Sequence, residues 1–308
     1  HDAFTVGEVF NMKEDALLEF VGENGYFSSM FDFAPHILSL GEKGWYDAKD
    51  VEFIQWKKAV IDSQLKCQGK AYLANIIENH DEPRGASRYL PPHARCPEGI
   101  KMLGTVSLLL RGIPFLYQGQ EIGMTNCRMK DISEYDDIDT HNQYRNALEA
   151  GLSKEEALEL CFKFSRDNAR TPMQWSGDKN AGFTEGTPWL KVNENYREVN
   201  VELQKKDEDS VLSYYKKLIA LRKSPEWKDV FVYGEFLPFY EEDRTVFAFL
   251  RVLDGKRVMV LGNFGQDKAE LILPRELKRV LLCNKHREVN KGGRIVLEPC
   301  EALVLELS

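Results

Sequence analysis

Two carboxylates in this sequence follow short apolar segments that have the character of buried strands. Glu8 comes directly after Phe4–Val6, and Asp81 comes shortly after Ala71–Ile77. In a parallel barrel, side chains at the carboxyl ends of the strands meet on one face. A carboxylic acid that protonates a leaving oxygen, beside a second carboxylate near a cationic carbon, is the chemistry of glycosidic bond cleavage. From spacing alone, however, an acid at a strand end is more often a solvated loop residue.

The segments that must position these carboxylates alternate between strands and helices. Near-continuous apolar strands separated by helices are typical of parallel pairing with both sheet faces buried. The predicted strands are Phe4–Val6, Tyr26–Phe33, Ala71–Ile77 and Ile113–Tyr117. The predicted helices are Lys13–Val21, Val51–Lys66, Gly99–Leu110 and Val211–Arg222. Four strand–helix units indicate half of a (β/α)8 TIM barrel, because a closed barrel needs eight.

Two further regions differ from this pattern. An insertion over about 123–207 contains a capping box, Ser153 to Glu156, that predicts a helix to about Phe164, and it is expected to cover the active face. After Ser224, short strands alternate with Asp-Gly and Gly-Gly turns, which predicts a small all-β sandwich. The strands are predicted at Thr245–Val252, Arg257–Phe264, Ala269–Leu273, Arg279–Cys283 and Ile295–Leu307. The expected domains are therefore 1–224 for the barrel part and 225–308 for the sandwich.

Composition excludes several classes of function. The 308 residues carry a net charge of −8, with 49 acidic and 41 basic residues, which argues against nucleic-acid binding. No run of eighteen apolar residues and no secretory signal are present, so neither a membrane association nor secretion is expected. The six cysteines form no Cys-x-x-Cys pair, and their spacing indicates neither a zinc site nor a disulfide framework. A cytoplasmic protein without metal or cofactor is the expectation, and its abrupt start at His1 indicates a piece of a larger protein.

Four motifs, in this order along the chain, carry a resemblance to a known family. Thr5–Glu8 and Asn79–Arg84 closely resemble two signature segments of the α-amylase family of glycoside hydrolases, and Gly112–Gly123 resembles the eighth strand of its barrel. Arg166–Trp175 is similar to a segment of the branch that contains oligo-1,6-glucosidase, isomaltase, dextran glucosidase and sucrose isomerase. The resemblance covers essentially the whole chain. It implies the carboxyl-terminal half of the barrel followed by the β domain.

The resemblance implies a role for each matching residue. Glu8 matches the general acid/base, and Asp81 matches the carboxylate that stabilises the transition state and grips ring hydroxyls. His80 matches a hydrogen-bond donor to the same sugar ring. Arg170, or with weaker support Arg166, matches an arginine that binds the non-reducing end and favours exo-action. The alternative for both arginines is a salt-bridged helix end, and for His80 it is a hydrogen-bonded histidine behind the site.

Aromatic residues near these motifs have two interpretations. They are either walls of a sugar pocket or part of the barrel and loop core, and the second is the commoner role of apolar strand residues. These residues are Phe10, Phe115, Tyr117 and Trp175.

The sequence also departs from the family pattern. The family's nucleophilic aspartate, preceded two residues earlier by an arginine, has no match here, and a retaining mechanism requires a covalent intermediate. Glu82 stands where relatives often have an uncharged residue, and we expect it to raise the pKa of a neighbouring carboxylate by repulsion.

The resulting expectation is a retaining exo-α-glucosidase of the oligo-1,6-glucosidase type, acting on short α-glucoside oligosaccharides, with this chain inactive alone. The alternatives are a transglycosylase of the sucrose isomerase or trehalose synthase type, and a non-catalytic relative of the transporter heavy-chain type. Because four parallel strands leave two unpaired edges, we also expect the missing amino-terminal half of the barrel, or a second copy of the chain, to cover them.

Overall fold

Four short parallel strands form the centre of the first part of the molecule. A computed structural model describes residues 3–9, 16–289 and 292–308. The strands are β1 (Val6–Gly7), β2 (Ser29–Met30), β3 (Ala74–Asn75) and β4 (Ile113–Pro114). β1 pairs with β2 and β3 with β4, both in parallel, and a parallel bridge between Phe31 and Ala74 joins the two pairs. The predicted parallel pairing of these four segments, in chain order, is confirmed.

Helices follow these strands along the chain. They are α1 (Leu17–Phe20), α2 (Phe53–Cys67), α3 (Gly85–Tyr89) and α4 (Pro97–Leu108). α2 begins with a capping box in which Glu52 and Gln55 exchange hydrogen bonds with each other's backbone N–H groups. Its apolar face buries Trp56, Val60 and Ile61. The helix predicted at Lys13–Val21 begins outside the described residues, and within them Leu17–Phe20 is helical.

The segment predicted as an insertion, about 123–207, lies between β4 and a helix that begins at Val211. Its helices are α5 (Ile138–Glu149), α6 (Lys154–Phe164), α7 (Asp167–Arg170) and α8 (Val201–Lys205), and α9 (Val211–Lys223) follows them. The capping box of Ser153 and Glu156 opens α6 as predicted. α5 was not predicted. It begins at the N-cap residue Asp137, whose carboxylate accepts the Thr140 N–H.

An antiparallel sheet dominates the last part of the chain. After α10 (Lys228–Tyr233) come β5 (Glu235–Phe239), β6 (Val246–Leu253), β7 (Lys256–Asn263), β8 (Ala269–Ile272), β9 (Leu277–Cys283), β10 (Arg294–Leu297) and β11 (Ala302–Leu307). Five of these strands form a sheet in the order β5-β6-β7-β11-β9, and β8 pairs with β10 in a second sheet.

The central strands of the five-stranded sheet, β6, β7 and β11, are buried on both faces, and β6 shows how. Phe247 and Phe249 pack into the core that also contains Trp56 of α2. Ala248 and Leu250, which point the other way, belong to a second core shared with β8 and β10. Because side chains of a strand alternate between faces, one sheet therefore joins the helices on one side and the small sheet on the other.

Several predicted strand limits are wrong. The ladders of β2, β3 and β4 are two residues long, so the segments predicted at Tyr26–Phe33, Ala71–Ile77 and Ile113–Tyr117 are mostly loop. The segment Ile295–Leu307 is two strands, separated by a turn in which Cys300 has a φ of 60°. Strand β5 was missed, because Pro238 interrupts its sequence pattern.

Within the described residues, no helix combines the length and the apolar character needed to cross a membrane.

A buried lysine fastens the antiparallel sheet to α2. Lys57 is fully buried, and its Nζ donates to the carbonyl oxygens of Tyr240 at 2.8 Å, Val246 at 3.1 Å and Asp243. Burial lowers the pKa of Lys57, and nearby carboxylates such as Asp243 oppose this effect. The ammonium group thus satisfies three carbonyl groups of the turn that leads into β6.

Replacing Lys57 with methionine is expected to lower the free energy of unfolding by about 2–4 kcal/mol, because buried carbonyl groups lose their donor. Urea unfolding followed by circular dichroism measures this. Lys58→Met is the matched control, because Lys58 is the exposed neighbour on the same helix. Equal unfolding midpoints for the two variants would contradict a role for Lys57 in holding the turn.

Candidate functional site

A buried ion pair anchors the loop that follows β3. Arg84 is 1% exposed, and its Nη1 donates to Glu78 Oε1 at 3.0 Å and to the Gln118 carbonyl at 2.7 Å. Its Nη2 donates to the Ala169 carbonyl at 3.2 Å. Burial raises the pKa of Glu78, while Arg84 and the Gly85 N–H, which donates at 2.5 Å, oppose this effect. Arg84 therefore ties the loop after β3 to the loop after β4 and to α7.

That loop presents Asp81 to two arginines and a histidine. Asp81 Oδ1 accepts from Arg170 Nη2 at 2.7 Å and from Arg166 Nη1 at 3.0 Å, and Asp81 Oδ2 lies 3.2 Å from His80 Nε2. Arg170 Nε also donates to the His80 carbonyl at 2.8 Å, and the Asp81 N–H donates to Asn79 Oδ1 at 2.8 Å. The Asp81 side chain is 32% exposed, so a ligand can reach it. Four of the five predicted site residues thus form one cluster.

Arg166 links this cluster to the start of α5. Its Nε donates to Asp137 Oδ1 at 2.6 Å, while Asp137 Oδ2 accepts from the backbone N–H and the hydroxyl of Thr140, both at 2.9 Å. Burial opposes ionisation of Asp137, but these hydrogen bonds outweigh it and hold its pKa below the ordinary value. The sequence analysis missed Asp137. Its position three residues before Thr140 is an N-cap pattern that indicates a helix start but not a contact with Arg166.

The structure bears on the alternative that the two arginines form a salt-bridged helix end. Arg170 is the last residue of α7 and Arg166 precedes that helix, so both lie at helix ends. Both are ion-paired, and the shared partner is Asp81. The two arginines are therefore salt-bridged at helix ends, and the same salt bridges place them beside Asp81, the candidate stabiliser.

Glu8, like Asp81, lies at the carboxyl-end side of the parallel strands, but it is apart from the cluster. It follows β1 directly and is exposed. Because β2 lies between β1 and β3, the two strands are roughly 10 Å apart. Among the described residues, no hydrogen bond or ion pair joins Glu8 to Asp81 or its partners. A sugar that contacts both carboxylates would therefore lie between them. Phe10, an expected wall residue, lies outside the described residues.

A cavity of about 250 Å³ adjoins Asp81, and Trp45 and Phe164 contribute to its wall. Glu82 also lines this cavity, but its carboxylate forms an ion pair with Arg88 and lies 3.9 Å from His36 Nδ1. Burial opposes ionisation of Glu82, yet His36 and Arg88 outweigh it and lower its pKa. The extra negative charge expected at Glu82 is therefore neutralised by its own cation.

The remaining aromatic residues differ in their surroundings. The ring of the half-buried Phe115 packs edge-on against Phe31 with centroids 5.1 Å apart. Tyr117 donates its hydroxyl to the Ala169 carbonyl at 3.2 Å, and the Arg84 guanidinium lies 5.2 Å from its ring centroid. Trp175 is 49% exposed.

The carboxylate that follows β2 has a pKa far from its ordinary value. Asp32 follows β2, and its Oδ1 accepts from Ser63 Oγ at 2.9 Å and from the Ala34 N–H at 3.2 Å. Burial raises the pKa of Asp32 from 3.8 to about 6, against the lowering effects of Ser63, His36 and Ala34. Because this pKa is higher in the folded chain, ionisation of Asp32 opposes folding. That opposition is absent below about pH 4, grows between about pH 4 and pH 6, and stays constant at higher pH.

Asp32→Asn is therefore expected to raise the free energy of unfolding at pH 8 by up to about 3 kcal/mol and to change little at pH 4. The asparagine oxygen still accepts the two hydrogen bonds. Urea midpoints at both pH values measure the effect, with Asp62→Asn, an exposed position on α2, as control. Stabilisation of equal size at both pH values would show that ionisation of Asp32 is not the cause.

Comparison with known proteins gives a consistent result. Residues 1–233 match the family model described as alpha amylase, catalytic domain. The whole chain is 36% identical over 314 residues to oligo-1,6-glucosidase of Parageobacillus thermoglucosidasius and covers 55% of that protein. Trehalose-6-phosphate hydrolase of Bacillus licheniformis superposes with a TM-score of 0.90 at 34% identity, with 100% of this chain and 56% of that chain covered. Isomaltulose synthase of Erwinia rhapontici NX5 superposes with a TM-score of 0.92 at 33% identity and the same coverage. The chain spans about half the length of the curated relatives it matches.

Proposed function

The chain belongs to the α-amylase family, and we propose that it forms part of a retaining, exo-acting α-glucosidase that hydrolyses short α-glucosides. The observation that carries the proposal is the cluster formed by Asp81, His80, Arg166 and Arg170 beyond the carboxyl end of β3. Glu8 follows the carboxyl end of β1, on the same side of the parallel strands. The similarity to oligo-1,6-glucosidases over the whole chain supports a substrate of this type.

In the proposed mechanism, Glu8 protonates the glycosidic oxygen and later removes a proton from the attacking water. Asp81 binds hydroxyl groups of the distorted sugar, and its charge stabilises the cationic character that develops at the reacting carbon. His80 donates a hydrogen bond to the same ring. Arg170 is held by Asp81 and by the His80 carbonyl, which positions its guanidinium to contact the non-reducing end.

The nucleophile is a separate part of the proposal. No segment of the sequence matches the family's nucleophilic aspartate, and a retaining enzyme needs one. We propose that another stretch of polypeptide supplies it and that this chain alone is inactive. This chain together with that polypeptide is called the complemented enzyme below.

The predicted barrel geometry also supports a second polypeptide as part of the active enzyme. Residues 1–224 would form the carboxyl-terminal half of a (β/α)8 barrel and 225–308 a β-sandwich domain. Within the described residues, β1 and β4 lie at the two edges of the parallel strands. Unpaired edges are sites of strand addition, so the amino-terminal half of the barrel, or a second copy of the chain, is proposed to cover them.

A sucrose isomerase is the second candidate, favoured by the superposition on isomaltulose synthase. The two activities differ in whether water or the released sugar attacks the intermediate. Chromatography of the products that the complemented enzyme forms from isomaltose, maltose and sucrose separates them. Glucose from isomaltose, released first as the α-anomer, supports the proposed hydrolase. Isomaltulose from sucrose as the main product would replace it with the isomerase, and β-glucose would contradict a retaining mechanism.

A further inference from the structure

Two cysteines that are far apart in the sequence have neighbouring thiols. Cys96 is the N-cap residue of α4, and Cys300 lies in the turn between β10 and β11. Cys300 is buried in the core cluster against which Cys96 packs, and the neighbouring Cys96 thiol contributes to the raised pKa of Cys300. Both side chains belong to the same packed region between α4 and the antiparallel sheet.

A buried asparagine holds the two backbone segments together. Asn284 is 5% exposed, and its Nδ2 donates to the Glu98 carbonyl and to the Cys300 carbonyl, both at 2.8 Å. Its Oδ1 accepts the Ala302 N–H at 2.7 Å. A single amide nitrogen thus bonds to a residue two positions after Cys96 and to Cys300 itself. The proximity of the thiols therefore rests on a defined backbone arrangement.

The two thiols differ in their access to solvent. Cys96 is partly exposed and lines an open cleft of about 750 Å³, together with Lys285 and His286. Cys300 is 6% exposed. Three other cysteines, Cys67, Cys127 and Cys161, are at most 2% exposed. A small solute in the cleft therefore reaches Cys96 first.

We propose that Cys96 and Cys300 form an oxidation site that is converted to a disulfide by a low-molecular-weight disulfide such as oxidised glutathione. The Cys96 thiolate attacks one sulfur of the reagent and releases one glutathione thiol. Cys300 then attacks Cys96 Sγ and releases the second. Two protein thiols lose two electrons and two protons, and the reagent takes up both to become two thiols.

The second step is expected to be the slow one. Burial raises the pKa of Cys300 to about 11, and the neighbouring Cys96 thiol adds to this effect, so Cys300 is almost entirely a thiol near neutral pH. The mixed disulfide at Cys96 should accumulate before it resolves. The finished bond would join α4 to the antiparallel sheet by a covalent link. The inference does not depend on the proposed function.

The test incubates the chain with oxidised glutathione at pH 8, blocks free thiols in denaturant and maps the peptides without reduction. We expect a Cys96–Cys300 peptide and the loss of two of the six thiols, reversed by dithiothreitol. Cys300→Ser should trap one glutathione on Cys96, and Cys96→Ser should show neither product. Cys67→Ser is the matched control and should behave as the unsubstituted chain.

Two results would overturn the proposal. One is that the unsubstituted chain keeps all six thiols free and that Cys300→Ser, treated in the same way, carries no glutathione. The other is a disulfide that joins Cys283, the remaining partly exposed cysteine, instead of Cys300. Circular dichroism of each variant before oxidation shows whether it is folded. If Cys96→Ser does not fold, the glutathione trapped on Cys96 in Cys300→Ser still tests the proposal.

Discussion

Replacement of Glu8 by glutamine is expected to lower kcat of the complemented enzyme for isomaltose by roughly 10³-fold. Isomaltose has a poor leaving group, so cleavage depends on a proton donated to the glycosidic oxygen, and glutamine cannot supply it. The amide has nearly the size of the carboxylic acid and lies on an exposed position after β1, so folding should be unaffected. Release of glucose at saturating isomaltose measures the effect.

The role of Glu8 can be separated from a general loss of function by changing the leaving group. With p-nitrophenyl α-glucoside the first step needs little acid assistance, and azide can replace the water that Glu8 would activate. We therefore expect azide to accelerate Glu8→Gln and to give α-glucosyl azide. Glu23→Gln, at another exposed position, serves as the control. A Glu8→Gln enzyme that hydrolyses isomaltose at the unsubstituted rate would remove Glu8 from the mechanism.

Replacement of Asp81 by asparagine is expected to reduce kcat/KM of the complemented enzyme for isomaltose by roughly 10³-fold. The substitution removes a negative charge that stabilises the cationic sugar. It also leaves Arg166 and Arg170, which donate to Asp81 Oδ1 at 3.0 and 2.7 Å, without this counter-charge beside the reacting carbon. Both effects disfavour the same transition state, so the loss should be large.

The accompanying measurement is inhibition by a cationic iminosugar, which resembles the charged transition state. Its binding should weaken in Asp81→Asn much more than the binding of glucose, because glucose carries no charge. Asp62→Asn, on the outer helix α2, provides the matched control for an aspartate-to-asparagine change. Equal weakening for the iminosugar and glucose would indicate that Asp81 positions the sugar without stabilising charge.

The part of the fold that the sequence predicts best depends on local patterns. Continuous apolar segments predicted the parallel pairing of β1 to β4, and the Ser153–Glu156 capping box predicted α6. Strand lengths were overestimated because apolar residues also fill the loops around the strand ends. The cytoplasmic location and the domain limits stay predictions.

The candidate site shows the same distinction. The motif resemblance selected Asp81, His80, Arg166 and Arg170, which lie together in the structure. The contact of Arg166 with Asp137 could not be predicted, because it joins segments separated by 29 residues through a tertiary contact. The thiol pair of Cys96 and Cys300 was missed for the same reason. Sequence spacing does not show that the start of α4 and the turn between β10 and β11 come together when the sheet packs on α4.

The central proposal is that this chain carries the acid/base and the stabilising aspartate while the nucleophile lies on other polypeptide. Hydrolysis of p-nitrophenyl α-glucoside, measured with this chain alone and with the complementing polypeptide added, tests it most directly. We expect no activity from the chain alone above that of Glu8→Gln, and turnover after complementation. Turnover by the chain alone that Glu8→Gln abolishes would contradict the proposal, because a nucleophile would then lie within these 308 residues.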